Sequence, residues 1–379
     1  MIKIDEIYRS LFVPYCKSFS KNLSVAYHDP FGRTDIDSIK VVVADEGIKV
    51  QPKPTTPQYN YLYIQDQEPI DLNLQKNTLA EIKSRAERGH KLLKPRFAMI
   101  TSELHSFDVG QLQSYMGGEQ FYYFFHGWAA LDWFRGYDKA WLIQDPYTRE
   151  FKQTFFSPNR IIGGKRDHRV AMLYWFEKLG LMHNNISAPK ICPVEREHIV
   201  DIGARMTEPY PDIIHVLNDA KLPKTFKGER TQEMSSYYLA NFDECAESMI
   251  YHVTETVATG YKQHLTEKIF KPICMRMPFV LTGTTGALKY LQGYGFKTFE
   301  GIWDESYDLI EDDYARYEAV AKLLKSIDAL NNNDKEDIFT KCIPIIQHNH
   351  QHFYGGTFEG ILWNELKGML KSLNDYFSN

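Results

Sequence analysis

Short apolar runs alternate with polar loops along the first part of the chain. Runs at residues 39–44, 61–64, 97–100 and 121–125 have the length and composition of buried strands. Three of them lead directly into polar segments, at residues 65–69, 101–105 and 126–128. Between them, residues 78–94 have a helical pattern rich in lysine and arginine. The pattern predicts strands that are followed by loops with candidate functional polar residues.

The second half continues this alternation. Alternating or apolar strand patterns occur at residues 212–217, 236–242, 249–254 and 278–281. Helical patterns occur at 170–181, 266–275 and 313–330, and apolar residues at helical spacing predict a last helix over 362–377. Strands that alternate with helices favour an α/β fold with parallel sheets.

Length and composition limit the class of protein. A chain of 379 residues is long enough for two domains of about 100 to 200 residues each, and Asp145–Pro146 is a plausible boundary. The net charge of -5 argues against a protein that coats nucleic acid through global charge, although a local basic face could still bind it. The five cysteines are far apart, which is typical of reduced cytosolic thiols. No apolar run approaches the ~18 residues of a membrane span, so we expect a soluble, cytoplasmic protein without a membrane partner.

The stretch 249–300 contains the strongest candidate site. The predicted strand ends in Thr254, Glu255 and Thr256, and a short helix opens at Thr266. Helix N-termini at the carboxyl edge of a parallel sheet present N–H groups to anions. Lys268 lies in the first turn, where the helix dipole disfavours a cation, so a bound phosphate would explain it. The alternative is a surface lysine on an irregular helix.

A basic, glycine-containing loop precedes the helix predicted at 170–181. It runs from Gly163 to Arg169 with the sequence GGKRDHR, and Arg160 lies just before it. Glycines leave N–H groups accessible and arginine pairs bidentately with phosphate, so this loop is a candidate pyrophosphate contact. Solvated turns of the same composition are common.

Two groups of residues resemble known glycosyltransferases. The sequences TEKIF at 266–270 and MPFVL at 277–281 resemble the C-terminal donor-binding motif of fucosyltransferase-like glycosyltransferases, which have two Rossmann-like domains in the GT-B arrangement. The segments 288–291, 295–299 and 304–308 are similar to glycosyltransferases carried by tailed bacteriophages. The resemblance is carried by the C-terminal half of the chain.

The resemblance implies a GT-B fold, with two Rossmann-like domains that face each other across a cleft. The expected acceptor domain is 1–150, the expected donor domain is 151–350, and 351–379 would form a C-terminal helix that packs back on the first domain. In this family the motif glutamate and lysine, here Glu267 and Lys268, serve the donor, and Arg160 matches a basic residue by position. The full predicted donor set is Thr254, Glu255, Arg160, Lys165, Arg166, Thr266, Glu267 and Lys268.

The resemblance also implies a transferase that uses a nucleotide sugar, UDP- or GDP-linked, to glycosylate a hydroxyl group, as a hexosyl- or pentosyltransferase. A general base on the acceptor hydroxyl is expected across the cleft, from polar residues that follow predicted strands. The candidates are Asp66, Glu68, Glu103 and His126. Asp66 and Glu68 rank first because they share one short loop.

The phage-like segments point to the hydroxymethyl or hydroxyl group of a modified pyrimidine in double-stranded phage DNA as the acceptor. Basic residues would bind phosphates and an aromatic residue would contact a flipped base. The candidates are Lys83, Arg88, Lys91 and Trp128. The enzyme would then act in the host cytoplasm. Two alternatives stay open, which are transfer to a surface glycan or lipid precursor, and a non-catalytic protein that binds a nucleotide sugar or nucleic acid.

The sequence gives little support for a metal. Asp35 and Asp37 imitate an Asp-x-Asp motif but precede a predicted strand instead of following one. His348, His350 and His352 alternate without a carboxylate and suggest a polar edge or loop. We therefore expect neither a metal nor a permanently bound cofactor.

Overall fold

A computed structural model describes the chain over residues 23–27, 40–44, 47–50, 60–65, 70, 72–73, 76–77, 79–80, 84, 96–117, 120–123, 125, 127–134, 136–137, 146–148, 150–226 and 238–378. Structural statements below concern these residues only.

The chain divides into two compact units. Unit 1 comprises Met1–Trp133, Lys262–His264 and Glu359–Asn379, and unit 2 comprises Phe134–Tyr261 and Leu265–Phe358. Unit 1 therefore takes in the C-terminal segment, where the Trp363 ring lies edge-on to that of Trp128 with centroids 4.9 Å apart. The predicted domains, 1–150, 151–350 and 351–379, stay a prediction about independently folding parts of the chain.

Unit 1 contains a mixed sheet with strand order β3-β2-β1-β4-β5-β6. The β1–β2 and β2–β3 pairs are antiparallel, whereas β4 pairs in parallel with β1 and β5, and β5 with β6. The strands are β1 Leu23–Tyr27, β2 Lys40–Ala44, β3 Gly47–Val50, β4 Asn60–Gln65, β5 Arg96–Thr101 and β6 Gln120–Tyr123. A buried cluster in this unit consists of Ile70, Leu79, Met99, Leu112 and Met116.

Unit 2 contains a four-stranded parallel sheet with order β10-β9-β7-β8. The strands are β7 Gln153–Pro158, β8 Asn185–Ser187, β9 Ser248–Thr254 and β10 Phe279–Thr282. Every residue of β9 and β10 is buried. Strands of parallel sheets are covered on both faces, so β9 and β10 are mainly apolar, and the polar residues Ser248, His252, Thr254 and Thr282 are buried with them.

The helices fill the segments between and after these strands. Their bounds are α1 Phe107–Tyr115, α2 Gly127–Phe134, α3 Asp167–Lys178, α4 Ile199–Gly203, α5 Ile213–Asp219, α6 Phe242–Ala246, α7 Glu267–Cys274, α8 Ala287–Gly293, α9 Asp313–Asp328, α10 Asn332–Tyr354 and α11 Thr357–Ser378. Short 3-10 turns cover Ala204–Met206 and Ser306–Leu309. Among the helices described, none is both long and apolar enough to cross a bilayer.

The α/β class predicted from the sequence is confirmed, and three local predictions are wrong. The segment 212–217 falls in helix α5 instead of a strand, because Ile213 and Leu217 are buried at helical spacing while Ile214 is 38% exposed. In the segment 236–242, residues 238–241 are irregular and Phe242 opens α6. The histidines at 348, 350 and 352 lie within helix α10. The predicted cleft stays a prediction.

Ile250 tests how much the central strand stabilises unit 2. It is fully buried in β9, so Ile250→Ala is expected to lower the free energy of unfolding by about 2 to 5 kcal/mol in urea denaturation. Val194, which is 62% exposed, is the control, and Val194→Ala should change it by less than about 0.5 kcal/mol. Equal effects would show that β9 does not lie in the core.

Candidate functional site

The loops after β7 and β9 leave the sheet of unit 2 at a topological switch point. From β7 the chain crosses to β8 on one side, whereas β9 lies on the other side of β7. All four strands are parallel, so both loops emerge at the same carboxyl edge. Ligands of open α/β sheets bind in the crevice at such a point. This is where a ligand site is expected in unit 2.

Two side chains from the first turn of α3 join these loops. Arg169 donates from Nη1 to the Ile161 carbonyl at 2.6 Å, and from Nη2 to the carbonyls of Thr254 at 3.3 Å and Glu255 at 3.2 Å. His168 Nε2 lies 2.9 Å from the Glu255 carbonyl. A carbonyl only accepts, so Nε2 carries a proton and the neutral ring has Nδ1 as an acceptor. Both side chains belong to the basic loop identified in the sequence, although neither was included in the predicted donor set.

Glu255 is a fully buried carboxylate at the end of β9. Its Oε2 accepts from the backbone N–H groups of Thr256 and Thr266, both at 3.2 Å, and from the Thr266 hydroxyl at 2.5 Å. Within the described part of the chain, its Oε1 is buried and has no hydrogen-bond partner. Glu255 therefore joins the end of β9 to the start of α7.

Lys268 lies where the two ends of the β9–α7 loop meet. Its Nζ donates to the Thr256 hydroxyl at 2.8 Å and the Thr266 hydroxyl at 3.4 Å, and it pairs with Glu267 Oε1 at 2.8 Å. Thr266 is the N-cap of α7 and accepts from the Lys268 N–H. The Lys268 side chain is 27% exposed, against 5% for Glu267. A partly exposed ammonium group is thus held at the carboxyl edge of the sheet.

Three cations converge near His168. Burial is the main cause that lowers the pKa of His168 well below its usual value, and the positive charge of Arg169 is the next. Arg166 and Lys268 lower this pKa further. Since these effects weaken with distance, the three cations lie near His168, where Arg166 is 3.7 Å from Glu195 and Lys268 pairs with Glu267. The structure thus brings Arg166 and Lys268, two predicted donor residues, together with Arg169.

The glycines of the basic loop are explained by packing. A Cβ on Gly163 would lie 2.8 Å from Glu195 Oε2, and Gly164 has a φ of +68° that favours glycine. The Gly163 N–H donates to Cys192 Sγ at 3.3 Å, and Arg166 lies 3.7 Å from Glu195. The predicted pyrophosphate contact of this loop stays a prediction. Lys165 is exposed and Arg160 half-buried in the same loop.

The N–H groups that follow β10, at the start of α8, already have hydrogen-bond partners within the protein. The N-terminal N–H groups of α8, from Leu288 and Lys289, are taken by the two carboxylate oxygens of Asp308 at 3.0 and 3.4 Å. The Gly286 N–H donates to the Asp308 carbonyl at 2.8 Å. An internal carboxylate thus occupies the place that an external anion would take at this helix.

The predicted acceptor and base residues belong to the N-terminal part of the chain. Glu103 is buried, and its Oε1 accepts from the Ile70 N–H at 2.6 Å while Oε2 accepts from the Ser106 hydroxyl at 2.6 Å and pairs with Lys262 at 3.2 Å. Trp128 is only 5% exposed, so stacking on a base, which stays a prediction, would require its ring to be uncovered. The other candidates, Asp66, Glu68, Lys83, Arg88, Lys91 and His126, lie outside the described residues, as do Asp35 and Asp37.

The predicted donor set leaves out Thr256, His168 and Arg169, and the sequence analysis did not identify Arg316. Arg316 could have been found in the sequence, because it shares the helical spacing of the buried residues Val320, Leu324 and Ile327. A charge in register with an apolar face indicates a buried and paired group. His168 and Arg169 carry no such signal, because α3 is buried around most of its circumference.

No protein-family model matches the sequence, and no curated protein matches it. Among solved structures, the chain is similar to a T4 phage BGT mutant in complex with UDP-glucose, at 10% identity and a TM-score of 0.36, over 84% of this chain and 74% of that one. It is also similar to an alpha1,3-fucosyltransferase with GDP, at 10% identity and a TM-score of 0.32, over 98% and 99%. At these scores the likeness carries no argument about activity.

His252 makes the stability of unit 2 sensitive to acid. It is fully buried between Ser157, whose hydroxyl lies 2.9 Å from Nδ1, and Thr282, whose hydroxyl lies 2.8 Å from Nε2, and burial lowers its pKa to about 3. An unfolded histidine titrates near 6.5, so between about pH 6.5 and 3 only the unfolded state binds this proton. The free energy of unfolding should therefore decrease as the pH is lowered through this range, by up to about 1.4 kcal/mol per pH unit.

Urea denaturation at pH 7.5 and pH 5 checks this expectation. His252→Asn should lose less stability than the wild type between the two values, because the titrating ring is gone. His215→Asn is the control, since the His215 side chain is 79% exposed. If His252→Asn and the wild type decline equally, another group causes the acid sensitivity.

Proposed function

We propose that this chain is a glycosyltransferase that binds the diphosphate of a nucleotide sugar at the carboxyl edge of the unit 2 sheet. The observation that carries the proposal is the position of Lys268, which is held by Thr256, Thr266 and Glu267 at the switch point of the sheet. Arg166 and Arg169 add positive charge to the same region. The TEKIF motif predicted this use for Glu267 and Lys268.

The chemistry fits the departure of a nucleoside diphosphate. In the transfer, the anomeric carbon exchanges its bond to a phosphate oxygen for a bond to the acceptor oxygen. The acceptor proton passes to a base, and negative charge grows on the leaving diphosphate. Fixed cations and N–H groups stabilise such charge without reorganisation. Lys268 is the group that would take this role, and Glu267 would accept hydrogen bonds from hydroxyls of ribose or sugar.

We further propose that the acceptor is a hydroxymethyl or hydroxyl group of a modified pyrimidine in double-stranded phage DNA, as the phage-like segments suggest. Asp66 and Glu68 remain the leading candidates for the base. Glu103 ranks below them because both of its oxygens already accept hydrogen bonds and Lys262 neutralises its charge. Side-chain cations would replace a metal at the diphosphate.

Substitution of Lys268 tests the donor site. Lys268→Ala is expected to weaken binding of UDP or GDP roughly tenfold to a hundredfold, because a charged hydrogen-bond donor is lost. Isothermal titration calorimetry measures the affinity, and the thermal midpoint should change little since the side chain is partly exposed. Lys289→Ala, at an exposed lysine of unit 2, is the matched control. Unchanged affinity for Lys268→Ala would remove Lys268 from the site.

A panel of donors and acceptors tests the reaction. The protein is incubated with UDP- and GDP-linked hexoses and pentoses and with hydroxymethylated DNA, and nucleosides are then analysed by mass spectrometry. The expected result is the mass increase of one sugar on the modified pyrimidine, with and without EDTA. Transfer only to oligosaccharide or lipid-linked acceptors would refute the DNA acceptor. Donor binding without transfer to any acceptor would indicate a non-catalytic protein.

A further inference from the structure

Arg316 is a buried arginine on the first turn of α9, and only 1% of its surface is exposed. Burying a guanidinium group is costly unless its donors are satisfied. An apolar residue at this position would continue the buried face of α9 at no such cost. The contacts of Arg316 therefore indicate what its charge does.

Arg316 donates to loops that follow three different elements. Its Nε donates to the Gly283 carbonyl at 3.0 Å, in the loop after β10. Its Nη1 donates to the Ile310 carbonyl at 2.6 Å, after the 3-10 turn, and to the Thr285 hydroxyl at 2.9 Å. Its Nη2 donates to the Ala258 carbonyl at 2.7 Å, in the loop after β9. A single side chain thus joins three loops, and it shares the Ile310 carbonyl with the Thr285 hydroxyl.

The loop after β9 receives two further contacts from the same turn of α9. The Tyr317 hydroxyl also donates to the Ala258 carbonyl, at 2.8 Å. The Asp313 carboxylate accepts from the Gly260 N–H at 3.0 Å and forms an ion pair with Arg316. The segment from residue 258 to residue 260 is therefore fixed at both ends by α9. Thr256, whose hydroxyl accepts from Lys268, lies two residues before this segment.

We propose that Arg316 is a positioning residue for the donor site, which acts through the Ala258 carbonyl to hold Thr256, and with it Lys268, in the geometry that binds diphosphate. This inference rests on the proposed function. Arg316 does not itself face the ligand, since its donors are used within the protein. Its role is to keep the loop after β9 in one arrangement when the site is empty, so that binding does not have to order it.

The test uses Arg316→Lys, which keeps the positive charge but lacks the planar fork that reaches several carbonyls at once. Its affinity for UDP or GDP should fall by about tenfold, the scale on which residues without ligand contact alter binding. In turnover assays the donor KM should rise much more than kcat falls. Backbone amides of residues 256–260 should exchange with deuterium faster, because local opening becomes easier.

Asp328→Asn provides the control for a general loss of stability. Asp328 ends the same helix, but it accepts from Thr154 at 2.7 Å and Asn184 at 3.2 Å at the amino end of β7. This variant should lower the thermal midpoint without altering KM or exchange at 256–260. Tyr317→Phe, which removes one of the two donors to Ala258, should give an effect in the same direction as Arg316→Lys but smaller.

The outcomes separate the two proposals. If the wild type binds UDP or GDP and Arg316→Lys binds it equally well, or if Asp328→Asn weakens binding to the same extent, the positioning role is overturned and the proposed function stands. If the wild type binds neither nucleotide, the proposed function falls, and the positioning role falls with it. If Arg316→Lys, but not Asp328→Asn, loses affinity for the nucleotide and protection of residues 256–260 from exchange, both proposals are supported.

Discussion

The buried carboxylate of Glu255 is the interaction on which the candidate site depends. β9 is buried along its whole length, so the chain leaves it with a polar side chain still inside the protein. That carboxylate needs donors, and it obtains three of them from Thr256 and Thr266. The two ends of the β9–α7 loop are thereby brought together, and Lys268 contacts both. The hydrogen bonds that satisfy the buried Glu255 carboxylate therefore set the position of the partly exposed Lys268 ammonium group.

Side chains from the neighbouring helices hold the loop after β9 in place by donating hydrogen bonds to its buried backbone carbonyls. Arg169 from α3 satisfies the carbonyls of Thr254 and Glu255, and Arg316 from α9 satisfies that of Ala258. The charges differ in consequence. Arg169 contributes to the positive region around His168, whereas Arg316 is neutralised by Asp313. Both buried arginines therefore hold loops of this edge through backbone carbonyls.

The carboxyl edge is not uniformly open to an anion. At α8 the Asp308 carboxylate already occupies the helix N-terminus, and in the basic loop Glu195 lies against Gly163 and Arg166. At α7, among the residues that the structure describes, the cation Lys268 pairs with its neighbour Glu267 and with two hydroxyl groups. The Thr256 hydroxyl can turn to donate to a phosphate oxygen, whereas the Thr266 hydroxyl already donates to Glu255. Among the described loops, the β9–α7 loop is thus the one best suited to a diphosphate.

The sequence by itself determined the α/β class, the strands β2, β4, β5, β6, β9 and β10, the helices α3, α7, α9 and α11, and the segment of the site that is local in the chain. Apolar runs identify strands such as β9 and β10 because strands of parallel sheets are buried on both faces. Thr266, Glu267 and Lys268 could be found because they open one helix. The segment 212–217 was predicted wrongly, because its apolar residues fit a strand as well as a helix and only burial distinguishes the two.

The tertiary structure alone decided which distant groups join that segment. His168, Arg169 and Arg316 lie on other helices, and they reach the site because parallel strands bring successive loops to one edge. Their partners are mainly backbone carbonyls, which every residue possesses and which leave no mark in a sequence. The local motif therefore identifies the cation, whereas the fold decides which loops hold it and which anion sites the protein has already filled.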